Sequence, residues 1–150
     1  MSTPVLPAFL AEDLLSRLRD RFASFPLIQG WNLHIESLAP GRALLKAGPS
    51  ERILNGPGGT INGGVLATLA DMTCALALST VFDGAMPFAT GDLHIRYLDP
   101  ARVSVAVEAT ILRLSARGAV LECRLASEGI TAALGTAHFS LSARRRPDEG

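Results

Sequence analysis

The first hydrophobic pattern along the chain has helical spacing and covers residues 10–25. Leu14, Leu18 and Phe22 recur every four residues, and charged side chains take most of the positions between them. Pro26 ends this segment because proline cannot take part in the helical hydrogen-bond ladder. The pattern therefore predicts an amphipathic helix near the start of the chain.

Short extended segments and a glycine-rich loop follow this helix. The extended segments are predicted at 31–37 and 42–47, with Pro40-Gly41 as the turn between them. The loop has the sequence Asn55-Gly56-Pro57-Gly58-Gly59, which suits backbone conformations that most residues avoid. It leads into the longest apolar stretch of the chain.

The apolar stretch covers residues 65–82 and predicts one long central helix over 62–82. Asn62 is placed to cap its start, and Asp83-Gly84 and Pro87 are expected to end it. A membrane span is not favoured, because the charge of Asp71 near the middle would be costly in lipid. A helix that is apolar on every side must instead be covered on most sides by the rest of a soluble domain.

Strand patterns fill the rest of the chain. Residues 88–97, 103–111, 119–127 and 130–142 are predicted as strands, and the second of them alternates apolar and polar side chains with a period of two. Arg117-Gly118 and Glu128-Gly129 are the expected turns. We predict an α+β fold in which a curled antiparallel meander wraps around the central helix, with an extra helix at the N-terminus.

Length and composition indicate one globular domain. The chain has 150 residues, 48% hydrophobic and 19% charged, so residues 1–150 are taken as a single domain with an N-terminal helical segment at 1–27 and a polar tail at 143–150. Fourteen basic residues balance fourteen acidic ones, which gives no overall field for nucleic acid or an anionic membrane. Arg144-Arg145-Arg146 in the tail is expected to be solvated. No signal-peptide pattern is present, so a cytoplasmic location is expected.

Cysteine and histidine residues do not form a recognisable site. Cys74 and Cys123 lie far apart in apolar runs without a Cys-x-x-Cys pair, so no zinc site or disulfide framework is expected, and both are interpreted as core residues. His34, His94 and His138 have no Ser or Cys partner at a recognisable spacing. They are interpreted as structural.

Asp71 is the main candidate for chemistry. It is the only charged residue between residues 53 and 82, and an isolated buried carboxylate is costly unless it has partners. A lone acid of this kind often marks a functional site. The alternative is a structural role, in which Asp71 binds a buried backbone group or caps a neighbouring element.

The start of the same helix offers hydrogen-bond donors. Asn62-Gly63-Gly64 leaves the first backbone N–H groups without bulky side chains around them, and these donors and the helix dipole favour an oxyanion. Asp71 lies roughly 10 Å beyond Gly64, too far for one carbonyl to meet both groups on a single helix. Two antiparallel copies of the helix would bring them together, which predicts a dimer with shared sites. The expected assembly is a homodimer or homotetramer with sites at the subunit interface.

These features resemble the motifs of hotdog-fold thioesterases of the phenylacetate-pathway and 4-hydroxybenzoyl-CoA thioesterase kind. Residues 59–71 read GTINGGVLATLAD, which is similar to the family's Gly-x-x-His-Gly-Gly followed by an acid seven residues later. Residues 90–100 read TGDLHIRYLDP, which is similar to the family's strand after the helix. The resemblance covers about residues 30–142 and implies a hotdog fold.

The resemblance also implies roles for individual residues. Asp71 would act as general base or nucleophile on an acyl-CoA thioester. Gly63 would donate its backbone N–H to the thioester carbonyl, and Thr90 would help to hold the attacking water. Members of this family place each site across a dimer interface, in agreement with the distance between the two groups.

The chain departs from the family pattern at the start of the helix. Asn62 stands where the family has its His, and Gly56 stands where some relatives have an Asn, so the role of orienting water could pass to Asn55 or Asn62 or be lost. Asn55, Gly64 and Thr68 are the candidates for substrate binding.

The predicted function is hydrolysis of an aromatic or medium-chain acyl-CoA to the free acid and CoA. CoA is part of the substrate, and no separate cofactor is expected. Two other functions remain open from the sequence: a non-catalytic acyl-CoA-binding module on the same fold, and a hotdog hydratase or dehydratase.

Overall fold

The computed structural model describes residues 2–83 and 87–141. Gly84 and the predicted polar tail with Arg144-Arg145-Arg146 lie outside the described residues. The described chain forms these helices and strands, in order: α1 (Leu14–Ala23), β1 (His34–Ala39), β2 (Arg42–Ala47), α2 (Gly63–Ser79), β3 (Phe88–Tyr97), β4 (Val105–Leu114), β5 (Gly118–Ser127) and β6 (Ile130–Leu141).

Helix α1 is shorter than predicted at both ends. Asp13 occupies its N-cap position, and residues 10–13 lie outside the helix; the Asp13 side chain makes no capping bond and pairs with Arg17 at 2.9 Å instead. Leu14, Leu18 and Phe22 are buried, which confirms the predicted apolar face. Pro26 begins a short 3-10 turn and does not continue the helix.

Helix α2 begins where the sequence predicted but ends earlier, at Ser79. The hydroxyl of Thr80 donates to the carbonyl of Ala77 at 2.7 Å and accepts the amide of Gly41 at 2.8 Å. The amides of Thr80 and Val81 bond the carbonyls of Ala77 and Leu78, three residues back, so the ladder of bonds to the fourth residue back stops here. The helix therefore ends before Asp83.

The strands form one antiparallel sheet in the order β1-β2-β4-β5-β6-β3. β4, β5 and β6 form the predicted meander, and both residues of the Glu128-Gly129 turn have the positive φ that a tight hairpin favours. The prediction that β3 begins this meander is wrong, because β3 pairs with β6 at the edge of the sheet. Residues 98–104 connect β3 to β4 and are long enough to cross three strand spacings of about 4.8 Å each.

Strands β1 and β4 begin later than predicted. Trp31 is buried in the segment before β1, outside the strand. Val103 is exposed and has a φ of 61°, so it belongs to the turn before β4. The hydroxyl of Ser127 holds this turn: it lies 2.8 Å from the carbonyls of Arg102 and Ser104 and accepts the amide of Arg102.

The sheet curls around α2, which packs against β2, β3, β4, β5 and β6. One strip of the helix, marked by Gly64, Thr68 and Asp71, stays half-buried or exposed, so the helix is covered on most sides but not on all. The predicted α+β architecture, with α1 as the extra helix, is confirmed. Within the described residues, neither helix has the length and apolar character needed to cross a membrane.

Candidate active site

The side chain of Asn62 fixes the start of α2. Its Oδ1 accepts the amides of Gly64 at 2.8 Å and Val65 at 3.3 Å, so Asn62 is the predicted N-cap. Its Nδ2 donates to Oδ1 of Asn55 at 2.8 Å, and Asn55 donates to the hydroxyl of Thr60 at 3.0 Å. This network ties the glycine-rich loop to the helix and brings together two of the predicted residues.

Gly63 is the first residue of α2, and its N–H has no acceptor within the helix. The Asn62 side chain takes the next two amides, and no acceptor for the Gly63 N–H is found among residues 2–83 and 87–141. Tyr97, at the end of β3, donates to the carbonyl of Gly63 at 2.5 Å. The helix start thus presents one unpaired donor, with an aromatic ring beside it.

Asp71 lies two turns further along α2, where Thr90 of β3 reaches it. Thr90 Oγ1 donates to Asp71 Oδ1 at 2.8 Å, and Oδ2 has no partner in the described part of the chain. The expectation of a buried carboxylate is wrong for the single chain, because the open strip of α2 leaves Asp71 half-buried. Its partner is a side-chain hydroxyl and not a buried backbone group.

The predicted site residues therefore form two groups in one subunit. One lies around Gly63 at the start of α2, and the other lies around Asp71, eight residues or about 12 Å further along the helix. Thr68 lies between them, and its hydroxyl donates to the carbonyl of Gly64 at 2.9 Å. That hydroxyl is already engaged within the helix.

A cavity of about 190 Å³ opens beside Asp71, between α1, α2 and β3. Ala89 and Thr90 lie at its exposed side, and Leu76 and Ser79 lie at its buried side. The rest of its lining is largely apolar and includes four of the six phenylalanines of the chain: Phe22, Phe25, Phe88 and Phe139. The sequence did not indicate this contribution of α1, because its spacing showed only an amphipathic helix.

Cys74 of α2 and Cys123 of β5 are both buried in the core, as predicted. A hydrogen bond with Cys123, together with burial, raises the pKa of the Cys74 thiol, so that the thiol stays protonated at neutral pH. Cys74 is therefore not a thiolate nucleophile. No group of three His, Cys, Asp or Glu side chains is placed to hold a metal ion in the part of the chain that the structure describes.

None of the histidines lines the cavity that contains Asp71. His34 Nε2 lies 3.0 Å from Oδ1 of Asn32, and His94 and His138 are exposed on β3 and β6. Tyr97 is a functional candidate that the sequence did not single out. Nothing in its sequence position indicates contact with a glycine 34 residues earlier.

Similar proteins are known at the level of both sequence and structure. Residues 58–133 match the family model of the thioesterase superfamily. The chain is 28% identical over 131 residues to the "Putative esterase" of Halobacterium salinarum, covering 85% of this chain and 87% of that protein. A mutant of the phenylacetic acid degradation protein PaaI from Thermus thermophilus is 29% identical, with a TM-score of 0.69 over 78% of this chain and 99% of that one. The E. coli PaaI protein, from the phenylacetic acid degradation operon, is 18% identical and alike in fold, with a TM-score of 0.76 over 89% and 96% of the two chains.

Proposed function

The chain belongs to the thioesterase superfamily and has the hotdog fold, and we propose that it hydrolyses an aromatic or medium-chain acyl-CoA to the free acid and CoA. Family membership supports a hydrolase that acts on thioesters; the acyl-CoA substrate is the proposed part. One observation carries the proposal: Asp71, with one oxygen bound by Thr90, lines an apolar cavity. A carboxylate held in this way can act on a carbonyl bound at the same place.

In the first route Asp71 is a general base. A water bound between the free oxygen of Asp71 and the hydroxyl of Thr90 attacks the thioester carbonyl, and Asp71 takes its proton. The carbonyl oxygen becomes an oxyanion, which the N–H of Gly63 stabilises. The C–S bond then breaks, and the CoA thiolate leaves with the proton returned from Asp71.

In the second route Asp71 is the nucleophile. Its carboxylate attacks the carbonyl, the CoA thiolate leaves, and the resulting mixed anhydride is hydrolysed by water. Both routes need the same groups in the same positions. They differ because only the second route forms a covalent acyl-enzyme. Rapid quenching followed by mass spectrometry of the intact chain would detect this intermediate.

We propose that each site combines Gly63 of one subunit with Asp71 of another, because about 12 Å separates them within one helix. Two features support this. β3 is an edge strand, whose outer N–H and C=O groups are available to pair with the same strand of a second copy. The open strip of α2 would then be covered by the α2 of that copy. The proposed assembly is a homodimer, or a homotetramer of such dimers, in the cytoplasm.

Asn62 occupies the position of the family's His, but it cannot supply the contacts of an imidazole ring. We propose that its role is structural. Its hydrogen bonds to Gly64, Val65 and Asn55 hold the helix start and the adjoining loop in one position. Asn55 and Asn62 thereby fix the surroundings of the Gly63 donor. Gly64 contributes to substrate binding by leaving room, since it has no side chain.

Two other functions compete with hydrolysis. The absence of the family's His favours a non-catalytic acyl-CoA-binding module. A hydratase or dehydratase needs a histidine beside the acid, and the described lining of the cavity holds none. Binding of an acyl-CoA without release of CoA would favour the first alternative, and addition or removal of water across an enoyl-CoA would favour the second.

A panel of acyl-CoAs with a thiol-detecting reagent tests the proposal. Purified protein should release CoA, and Asp71→Asn should lower kcat by about 10²- to 10⁴-fold while the protein stays folded. Asp20→Asn, at an exposed acid of α1, is the matched control and should keep full activity. Full turnover by Asp71→Asn would contradict the mechanism. A wild-type protein without activity, together with an Asp71→Asn variant that does not fold, would indicate a structural role.

A further inference from the structure

We propose that α1 sets an upper limit on the size of the acyl group. The cavity beside Asp71 would hold the acyl chain, and Phe22 of α1 and Phe25, two residues beyond the end of that helix, would form the wall that limits its length. This inference rests on the proposed function, since it assigns the acyl end of the same substrate. It identifies α1 as the element that determines specificity.

The direction of the cavity follows from the exposure of its lining. Asp71 and Thr90 lie towards the open side, whereas Leu76, Ser79 and Phe139 are buried. Asp71, Ala75 and Ser79 follow one another at intervals of four residues, so the cavity runs along one face of α2. A thioester carbonyl placed at Asp71 would therefore direct its acyl chain past Ala75 towards the buried end.

Helix α1 is held in place on several sides. Arg17 binds Asp83, beyond the end of α2, with 2.8 Å between the guanidinium and the carboxylate. Arg19 donates to the carbonyl of Ile35 in β1 at 3.0 Å. The amide of Gln29 donates to the carbonyls of Ala23 and Phe25 at 2.8 and 2.9 Å. These bonds and the burial of Leu14, Leu18 and Phe22 hold the helix in place, so its side of the cavity resists a longer acyl chain.

Two aromatic pairs give the cavity its shape. Phe22 and Phe25 have ring centroids 5.2 Å apart, and Phe88 and Phe139 meet edge to face at 5.5 Å. An apolar cavity of about 150 Å³ is sufficient for benzene, so 190 Å³ has room for about six to eight carbon atoms. A single ring or a chain of hexanoyl to octanoyl length fits this space, and decanoyl or palmitoyl chains exceed it.

The test measures kcat/KM for acetyl-, butyryl-, hexanoyl-, octanoyl-, decanoyl-, palmitoyl- and phenylacetyl-CoA. We expect an increase up to hexanoyl- or octanoyl-CoA and a decrease beyond. Phe25→Ala should raise the decanoyl-to-hexanoyl ratio by about tenfold, and Ala75→Leu should lower the hexanoyl-to-acetyl ratio by about tenfold, because one methylene in such a pocket changes discrimination about 10- to 200-fold.

Matched controls lie outside the cavity. Phe9→Ala removes an exposed ring, and Ala23→Leu adds the same side chain to an exposed position of α1 that does not line the cavity. Both should leave the ratios unchanged. Phe25→Ala could destabilise α1, but Ala75→Leu changes the cavity from the opposite wall and in the opposite direction.

The same series is also measured as Kd, by calorimetry with Asp71→Asn protein. The Kd should depend on the size of the cavity even if no acyl-CoA is cleaved. The Kd series therefore tests the size limit separately from the proposed hydrolysis. Palmitoyl-CoA that is bound as tightly as hexanoyl-CoA, or ratios that change in neither cavity variant, would overturn the assignment of the size limit to α1 and the adjoining Phe25.

Discussion

The hydroxyl of Thr90 donates a 2.8 Å hydrogen bond to Oδ1 of Asp71, which joins the edge strand β3 to the central helix α2 beside the cavity. The bond holds one carboxylate oxygen and leaves the other on the open strip of the helix. β3 is also the strand that we propose pairs with a second subunit. If so, β3 would both position Asp71 and pair with the second subunit that completes the site.

Thr90→Val should lower kcat by about 10- to 100-fold. A hydrogen bond to a charged group contributes about 1.5–3 kcal/mol, and the valine cannot donate one to Asp71. Thr90→Ser keeps the hydroxyl and should keep most of the activity. Steady-state kinetics on the best acyl-CoA of the panel would check this, and equal rates for the Val and Ser variants would contradict it.

Asn62→Ala should destabilise the protein by about 1 kcal/mol, because it removes the side-chain oxygen that accepts the amides of Gly64 and Val65. For a domain of this size the melting temperature should fall by about 2–4 °C. Asn62→Asp retains the acceptor at the positive end of the helix and should melt close to the wild type, although it loses the bond to Asn55. If calorimetry finds both variants equally destabilised, the capping role is wrong.

Tyr97→Phe removes only the hydroxyl that binds the carbonyl of Gly63. If this bond orients the first peptide of α2, the oxyanion donor becomes less well placed and kcat should fall severalfold with KM unchanged. Tyr97 is half exposed, so the melting temperature should change little. A lower melting temperature with unchanged kcat would indicate a purely structural contact.

Cys74 should resist thiol reagents in the folded protein. Hydrogen bonding to Cys123 and burial raise the pKa of Cys74, so the fraction of reactive thiolate at pH 7 is very small and only a more alkaline pH or unfolding would increase it. Mass spectrometry after treatment with iodoacetamide at pH 7 should show no label on Cys74, and both cysteines should be labelled in guanidinium. Rapid labelling of Cys74 with loss of activity would point to a thiol nucleophile instead.

Local sequence signals predicted the elements and the start of α2 well. Asn62 is the N-cap because its side-chain type and its place before an apolar run are both local properties. The alternation of apolar and polar residues around Val107 and the turn at Glu128-Gly129 also depend only on residues that are neighbours in the sequence. These parts of the fold could therefore be predicted from the sequence.

Features that depend on distant segments could not be predicted in this way. The pairing of β3 with β6 depends on a loop that crosses the sheet, and the bond between Gly41 and the hydroxyl of Thr80 joins β2's turn to the end of α2 across 39 residues. The contribution of Phe25 to the cavity and the contact of Tyr97 with Gly63 likewise join residues from separate elements. Hydrophobic spacing carries no information about such contacts.

The most direct test of the shared site mixes two inactive variants. Gly63→Pro removes the N–H of the first helical residue, where proline is tolerated, and the extended backbone of Asn62 suits the residue before a proline. Asp71→Asn removes the acid. Each variant alone should be inactive, and unfolding and refolding the two together in equal amounts allows mixed dimers to form.

If each site takes Gly63 from one subunit and Asp71 from the other, every mixed dimer has one intact site. Random pairing then predicts recovery to about a quarter of the wild-type activity per subunit. If both groups act within one subunit, no mixed dimer has an intact site. Refolded mixtures that remain as inactive as the separate variants, although native mass spectrometry detects mixed dimers, would contradict the account.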